Sequence, residues 1–161
     1  MKLTTRGRYA VTAIVDVALH GRGGPVPLTD ISARQGISLA YLEQIFARLR
    51  RSGLVGSVRG RGGGYRLLGA IEDITVADII DAMNESMDYT RCEGARNCQQ
   101  GEACLTHELW AGLGERVRDY LATVTVASLV AAPSVQTVAA RQRGDGVPLQ
   151  RLTVPLEATR D

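Results

Sequence analysis

The sequence contains few of the side chains that bind metals or act as nucleophiles, since its 161 residues include only three cysteines and two histidines. No Cys-x-x-Cys pair is present, which argues against a thiol oxidoreductase. A disulfide framework would leave one cysteine unpaired. No apolar run approaches the length of a membrane span, and no signal peptide is recognisable. We therefore expect a soluble, cytoplasmic protein without a membrane partner.

The formal net charge is only +2, but the charges are unevenly distributed along the chain. Residues 1–66 contain 11 Lys and Arg against 3 Asp and Glu, whereas the remainder contains 8 against 14. The first part therefore carries a formal charge of +8 and the second part −6. A basic folded domain indicates an anionic partner, and nucleic acid is the commonest one.

All three cysteines and one histidine lie in a single polar segment of sixteen residues. Five residues separate Cys92 from Cys98 and Cys98 from Cys104, and His107 follows three positions later. Thiolates and imidazole are the preferred ligands of zinc and of iron-sulfur clusters, so this segment predicts a metal site. If a helix begins at Glu102, Cys104 and His107 would lie side by side on its first turn.

Two kinds of metal centre fit these four ligands. Structural zinc accepts three thiolates and one imidazole, but its ligands usually include a cysteine pair about two to four residues apart, which is absent here. A [2Fe-2S] cluster tolerates wider spacing because its ligands bind different irons, and imidazole can replace thiolate. The spacing favours the cluster and leaves zinc open. A ferredoxin-type enzyme or a scaffold that passes clusters to other proteins would not explain the basic N-terminal part.

The first half of the chain has the pattern of a helix-turn-helix. Thr4 or Thr5 can cap a first, largely buried helix. A short helix then begins near Thr29, Gly36 makes a turn, and a longer helix covers residues 38–51. Apolar residues at i, i+3, i+4 and i+7 define the buried face of that helix, namely Leu42, Ile45, Phe46 and Leu49. The other faces offer small side chains and hydrogen-bond donors to a DNA groove, and the candidates for DNA contact are Ser38, Ala40, Tyr41, Glu43, Gln44, Arg48 and Arg51.

Glu43 is an acidic side chain on this predicted DNA-facing surface. A carboxylate near phosphates is costly unless it accepts a hydrogen bond, for example from N4 of cytosine. We therefore expect Glu43 to reject DNA sites that lack a correctly placed cytosine, and ordering of the cysteine segment to help place it.

A glycine-rich hairpin follows the predicted helix-turn-helix. Strands are expected over Leu54–Val58 and Tyr65–Leu68, with Arg59 and Arg61 in the loop between them. A P-loop is excluded because a strand follows the glycines and no Lys-Ser/Thr pair is present. Helix-turn-helix plus hairpin predicts a winged helix, in which Arg59 and Arg61 contact phosphates or a narrow minor groove.

The second half of the chain is expected to be helical around the cysteine segment. Thr75 caps a packing helix, and a long amphipathic helix follows the metal segment. Its apolar stripe has no obvious partner except a second copy, which predicts a homodimer; the stripe comprises Leu105, Leu109, Leu113, Val117, Tyr120 or Leu121, and Val124. Residues 133–161 have few large apolar side chains and are predicted to be a disordered tail.

These patterns predict a mainly α fold with a small β wing. Residues 1–70 would form a winged helix-turn-helix DNA-binding domain. Residues 71–132 would contain a connecting helix, a cluster-binding loop over 92–107 and a dimerisation helix. The tail would follow from residue 133.

Four stretches resemble the iron-sulfur cluster regulators of the IscR type, a family of winged-helix transcription factors. They are MKLTTRGRYAVTAIVDVALH, GPVPLTDISARQGISLAYLEQIFARLRRSGLV, SVRGRGGGYRL and the metal segment RCEG...C...CLTHELW, and the resemblance covers about residues 1–129. It implies a DNA-binding homodimer that recognises pseudo-palindromic promoter sites and receives a [2Fe-2S] cluster from the iron-sulfur assembly machinery. The implied ligands are Cys92, Cys98, Cys104 and His107. It also implies that cluster occupancy selects the promoters that are bound, including repression of the cluster-assembly genes.

Overall fold

The computed structural model describes residues 4–144, which form seven α-helices and one two-stranded antiparallel sheet. The helices are α1 (Thr5–His20), α2 (Leu28–Gln35), α3 (Leu39–Arg51), α4 (Val76–Ala82), α5 (His107–Thr123), α6 (Val126–Ala131) and α7 (Pro133–Gln142). The strands are β1 (Val55–Val58) and β2 (Gly64–Leu67), and a short 3-10 turn covers Gly21–Gly23.

Helix α1 is the centre of the fold, and it contacts α2, α3, α4, α6 and β2. Thr4 caps it by accepting a hydrogen bond from the backbone N–H of Arg6 at 3.1 Å, as expected for a helix N-cap. Ala10, Ala13 and Ile14 are fully buried. Alanine at two of these positions allows the neighbouring helices to approach α1 closely, so α1 packs against most elements of the DNA-binding unit.

The predicted helix-turn-helix is confirmed as α2 and α3. Gly36 ends α2 in a left-handed conformation, with φ of 66°, which glycine adopts at little cost. Ser38 then caps α3 by accepting from the N–H of Tyr41 at 3.4 Å. The residues predicted for its buried face are all fully buried: Leu42, Ile45, Phe46 and Leu49.

A buried ion pair joins α1 to α2. Asp16 is 1% exposed and accepts hydrogen bonds from Arg34 Nη2 at 2.6 Å, Arg34 Nε at 3.0 Å and Gln35 Nε2 at 2.7 Å. The bond to Asp16 raises the pKa of Arg34, so the guanidinium stays charged. Three donors satisfy the buried carboxylate, which is the condition under which a buried charge is tolerated.

The predicted wing is present as β1 and β2. Strand β1 begins one residue later than predicted, and β2 begins and ends one residue earlier. Val55 pairs with Leu67 and Val58 with Gly64. Val26, just before α2, also bonds to Tyr65 through two backbone hydrogen bonds of 2.8 and 2.9 Å. This contact fixes the hairpin against the helix-turn-helix.

Helix α4 begins after Thr75, as predicted. Thr75 and Asp78 form a reciprocal capping box. The helix ends at Ala82, and Asn84 has a left-handed φ of 54°. The following residues run without helix into the cysteine segment, although Met87 is buried with Val76 and Ile80.

The apolar stripe of α5 divides between two surfaces. Val117 and Leu121 pack against α4 and Met87 of the same chain, so the expectation that the whole stripe needs a second copy is wrong. Leu109 remains 62% exposed, Leu113 36% and Tyr120 66%. These three lie at i, i+4 and i+11 on one face, and together with Leu105, which is fully exposed before the helix begins, they are the part of the stripe left uncovered by residues 4–144.

The predicted disordered tail contains an ordered helix at its start. Helix α7 occupies Pro133–Gln142, with Ala139 fully buried, and Gln142 Nε2 lies 3.5 Å from the carbonyl oxygen of Arg34. Small side chains are sufficient for this packing because α7 lies against α6. The scarcity of large apolar residues therefore did not indicate disorder over Pro133–Gln142. Residues 145–161 of the predicted tail lie outside the described residues. No helix within residues 4–144 is long and apolar enough to span a membrane.

Candidate metal centre and DNA-reading surface

Short turns explain the even spacing of the three cysteines. After Cys92 the N–H of Ala95 bonds back to the Cys92 carbonyl oxygen at 3.0 Å. After Cys98 the backbone groups of Gln99 and Glu102 exchange two hydrogen bonds of 2.9 and 2.8 Å. Each turn reverses the chain and returns the next cysteine to the same side, so five intervening residues are enough to bring the thiols together.

The side chains of Cys92, Cys98 and His107 converge. Nδ1 of His107 lies 3.5 Å from Sγ of Cys92 and 3.7 Å from Sγ of Cys98. The three ligand atoms all lie within 4.8 Å of one another, and His107 is only 3% exposed. Two thiolates bound to one zinc at about 2.3 Å would be about 3.8 Å apart, so these separations are in the range that metal binding needs.

Cys104 lies beside this group but is not part of its compact core. Its backbone N–H donates to Sγ of Cys98 at 3.0 Å, whereas its own Sγ lies 3.9 Å from Oγ1 of Thr106. Helix α5 begins at His107 rather than at Glu102. Cys104 therefore precedes the helix, and the expected side-by-side placement on a first helical turn is wrong. The turn after Cys98 uses the backbone of Glu102, which prevents an earlier helix start.

The cysteine segment holds three non-glycine residues in the left-handed region. Glu93, Arg96 and Gln100 have φ values of 50°, 57° and 50°. Such residues cost about 1 to 3 kcal/mol each and persist where surrounding contacts impose them, often at ligand sites. Ligand binding at the thiols would supply contacts that repay this cost.

The three thiols differ in acidity. Burial disfavours the thiolate of Cys92, but hydrogen bonds from the Thr90 hydroxyl and the backbone N–H groups of Arg96 and Asn97 outweigh it and lower its pKa to about 6. A hydrogen bond with the Cys98 side chain, together with the N–H of Thr106, lowers the pKa of Cys104. The N–H of Cys104 also favours the Cys98 thiolate, yet burial and the two neighbouring thiols raise the pKa of Cys98. The thiolate form is therefore favoured at Cys92 and Cys104 and disfavoured at Cys98, whose side chain hydrogen-bonds to both.

Two residues around the thiols were not anticipated. Oδ1 of Asp88 accepts from the N–H of Thr90 at 2.6 Å, and Oγ1 of Thr90 accepts from the N–H of Gly94 at 2.8 Å and lies 3.6 Å from Sγ of Cys92. The first contact is a local Asx turn, which the Asp-x-Thr pattern could have suggested. The contact of Thr90 with Cys92 has no sequence signature.

The predicted DNA-facing residues of α3 divide into two groups. Ser38, Ala40, Glu43, Gln44 and Arg51 are exposed, as a groove-reading surface requires, although Arg51 Nε also donates to the Ala47 carbonyl oxygen on the same helix at 3.2 Å.

Tyr41 and Arg48 are half-buried. The Tyr41 ring packs edge-on against Tyr9 at 5.9 Å between centroids. Nη1 of Arg48 donates to the Met83 carbonyl oxygen at 3.3 Å. Both side chains therefore have partners within the chain, but Arg48 uses only one of its five N–H donors in this contact, so its contact with DNA stays a prediction.

Arg59 and Arg61 are exposed in the loop between β1 and β2. No described residue forms an ion pair with either of them, since the ion pairs found within residues 4–144 involve Arg34, Arg96 and Arg118. The wing thus presents two exposed guanidinium groups, and its strand β1 contacts α3. Charge and shape together form a surface suited to a DNA backbone and groove.

Comparisons with known proteins agree with this geometry. The Rrf2 family, described as "Iron-dependent Transcriptional regulator", matches residues 3–132. The chain is 56% identical over 147 residues to the HTH-type transcriptional regulator IscR of Erwinia tasmaniensis, covering 91% of this chain and 89% of that protein. It is 54% identical over 164 residues to IscR of Serratia proteamaculans, covering 98% and 100% of the two chains.

Solved structures give the same fold. T. potens IscR superposes with a TM-score of 0.67 at 37% identity, covering 81% of this chain and 86% of that one. CymR, the global cysteine regulator of B. subtilis, superposes with a TM-score of 0.70 at 32% identity, covering 81% and 96%. The predicted winged-helix fold, mainly α with a small β wing, is thereby confirmed.

Because the pKa of Cys92 is lowered to about 6, Cys92 should be mostly thiolate at pH 7 and should react with iodoacetamide faster than Cys98 in the metal-free protein. The rate at Cys92, followed by mass spectrometry against pH, should rise through a midpoint near pH 6. Thr90→Val should shift that midpoint upward, while Thr123→Val, distant from the thiols, should leave it in place. Equal rates for the three cysteines at pH 7 would contradict the assignment.

Proposed function

Because the chain belongs to the Rrf2 family and is a transcriptional regulator of the IscR type, we propose that a [2Fe-2S] cluster controls its choice of promoters. Membership of this family also means that the protein binds DNA and is not an enzyme. The residues proposed to hold the cluster are Cys92, Cys98, Cys104 and His107. The genes proposed to be repressed are those of iron-sulfur cluster assembly, and the assembly machinery is the proposed cluster donor.

The convergence of two thiols on one imidazole, with a third thiol alongside, carries the proposal. Three sulfurs and one nitrogen meet the ligand count of a [2Fe-2S] cluster, in which imidazole can replace thiolate. Cys104 lies outside the compact group of three, which supports a centre whose ligands bind different irons. When bound, such a cluster supplies a one-electron redox centre whose potential depends on its ligands and on hydrogen bonds to its sulfurs.

The surrounding residues are suited to hold negative sulfur. Thr90 Oγ1 contacts Sγ of Cys92, and the N–H of Cys104 donates to Sγ of Cys98. These contacts stabilise thiolates and fix their directions, as hydrogen bonds to ligand atoms do at other metal sites. Burial of His107 keeps its ring in a single orientation, with Nδ1 toward the thiols.

DNA reading is proposed for α3 and the wing. The exposed residues Ser38, Ala40, Glu43 and Gln44 would face the major groove, and Arg59 and Arg61 would contact phosphates or the minor groove. Glu43 is fully available for this role because it has no hydrogen-bond or ion-pair partner among residues 4–144. We keep the hypothesis that it rejects sites lacking a suitably placed cytosine. Tyr41, Arg48 and Arg51 are proposed to contact DNA as well, because each arginine uses only one of its five N–H donors within the chain and Tyr41 packs on Tyr9 through its ring alone.

A homodimer is proposed through the exposed face of α5. Leu109, Leu113 and Tyr120 form one apolar line, which in a two-fold dimer would be covered by the same line of a second copy. Two helix-turn-helix units related by such an axis would read a pseudo-palindromic site.

Zinc is the second candidate, because Cys92, Cys98 and His107 alone are close enough for one ion. A cluster scaffold is a third, but the exposed arginines of the wing favour DNA as the partner.

Anaerobically purified protein should be coloured and should contain about two irons and two sulfides per chain. Cys98→Ala should remove the visible absorption because it deletes a ligand at the centre of the group. Gln99→Ala, a neighbouring change that leaves every ligand in place, should retain it. A colourless wild type containing one zinc per chain would overturn the cluster and establish the zinc alternative.

The wild type should be dimeric in sedimentation velocity. The double variant Leu109→Glu, Leu113→Glu should be monomeric, because its new carboxylates would bring like charges together across the two-fold axis. Ala122→Glu, on the opposite exposed face of α5, is the matched control and should remain dimeric. A wild-type monomer under the same conditions would rule out the proposed dimer.

A further inference from the structure

The side chain of Glu85 caps a helix that lies far away in sequence. Glu85 follows α4, yet its Oε2 accepts from the N–H of Thr4 at 3.0 Å and its Oε1 from the N–H of Gly7 at 2.9 Å. Oε1 also accepts from the Thr4 hydroxyl. Helix N-termini leave unpaired N–H groups and carry partial positive charge, so a carboxylate there is stabilised twice.

Space for this carboxylate exists because residue 7 is a glycine. Gly7 is buried on α1, and a Cβ at this position would lie 2.5 Å from Oε2 of Glu85 and 2.9 Å from Cδ1 of Ile80. Any larger residue would therefore displace the Glu85 carboxylate and the end of the Ile80 side chain from their present positions. The Glu85 carboxylate can approach α1 this closely because residue 7 has no side chain.

The same segment holds the DNA-reading helix. The carbonyl oxygen of Met83 accepts from Nη1 of Arg48 at 3.3 Å. Arg48 lies one turn from Gln44 on one side and from Arg51 on the other, so its anchor sets how the C-terminal half of α3 lies against the segment.

The other end of the segment is attached to the metal site. Met87 is buried, and α5 crosses its carbonyl oxygen at Gly114, where a Cβ would lie 2.7 Å from that oxygen. Asp88 then binds the N–H of Thr90, and Thr90 contacts Sγ of Cys92. An unbroken series of contacts therefore runs from a proposed metal ligand to the N-terminus of α1 and to α3.

We propose that Glu85 is a positioning residue that couples the state of the cysteine segment to DNA binding, an inference that rests on the function proposed above. Glu85 ties the 83–88 segment to α1, so a change in position at Cys92 moves the Met83 carbonyl, and with it Arg48 and α3, as one unit. Without Glu85 a change at Cys92 is no longer passed to the N-terminus of α1, because residues 85–88 lose their hydrogen bonds to it, whereas Met83 stays buried in the core. Glu85 also has a capping role, because the Thr4 hydroxyl accepts only from the N–H of Arg6, whereas Glu85 accepts from the N–H groups of Thr4 and Gly7.

The test compares DNA affinity in two states for each of four full-length proteins: wild type, Glu85→Ala, Glu85→Gln and Thr125→Ala. Fluorescence anisotropy at one fixed salt concentration would use a DNA duplex selected from a random library by metal-loaded wild type. Metal loading would be followed by visible absorption, and thermal unfolding of the metal-free forms would be recorded alongside. Thr125→Ala is the matched control because it removes the N-cap of α6, away from the 83–88 segment.

In wild type the affinities of the metal-loaded and metal-free forms should differ by about 5- to 150-fold, the usual range for coupled sites. In Glu85→Ala the two affinities should agree within about twofold while the visible absorption is retained, because the coupling is lost but the ligands remain. Glu85→Gln keeps one acceptor oxygen and should give an intermediate ratio, and it decides the question if Glu85→Ala does not fold. Thr125→Ala should unfold at a lower temperature and keep the wild-type ratio.

A wild-type ratio in Glu85→Ala or in a soluble Glu85→Gln would overturn the coupling role and leave Glu85 as a cap only. Equal affinities of the two wild-type forms would instead overturn the proposed metal-dependent function, and the coupling role with it. The two failures are therefore distinguishable by the wild-type measurement.

Discussion

The crossing of α5 over Met87 is the constraint on which the arrangement of the proposed metal site depends. Gly114 allows the helix to approach the Met87 carbonyl oxygen so closely that a side chain of any other residue would have to displace it. The crossing fixes one end of the cysteine segment just before Asp88 and its other end at His107, two turns earlier in α5. A flexible chain with four ligands would lose considerable conformational entropy on binding metal. Here both ends are held in advance, and the turns between them bring the thiols to the imidazole.

The same crossing places the metal site close to the DNA-binding unit without joining it directly. Residues 83–88 lie between them and bond to α1 through Glu85 and to α3 through the Met83 carbonyl, and α4 contacts α1, α3 and α5 beside them. Because α1 packs against α2, α3 and β2, a shift at its N-terminus would change the position of these elements as well. The opposite signs of formal charge in the two parts of the sequence suit this division, with the basic part facing DNA and the acidic part surrounding the metal segment.

Local patterns predicted most of the fold, whereas contacts between distant residues escaped prediction. Periodicity identified the buried face of α3, and cap residues identified the starts of α1, α3 and α4. Residue type and spacing predicted the ligand set, of which the structure brings Cys92, Cys98 and His107 together and places Cys104 beside them. Nothing local could reveal that Arg48 turns toward Met83 or that Glu85 caps a helix 78 residues earlier. The stripe of α5 was misjudged because periodicity shows that a face is apolar but not which neighbour covers it.

The central claim is that a change at the cysteine segment reaches the helix-turn-helix through residues 83–88. Hydrogen–deuterium exchange of wild-type protein, compared by mass spectrometry before and after the metal is removed, tests it most directly. The account predicts that exchange changes in residues 92–107 and also in residues 83–88 and at the N-terminus of α1, where Glu85 binds Gly7. Changes confined to residues 92–107 would contradict it.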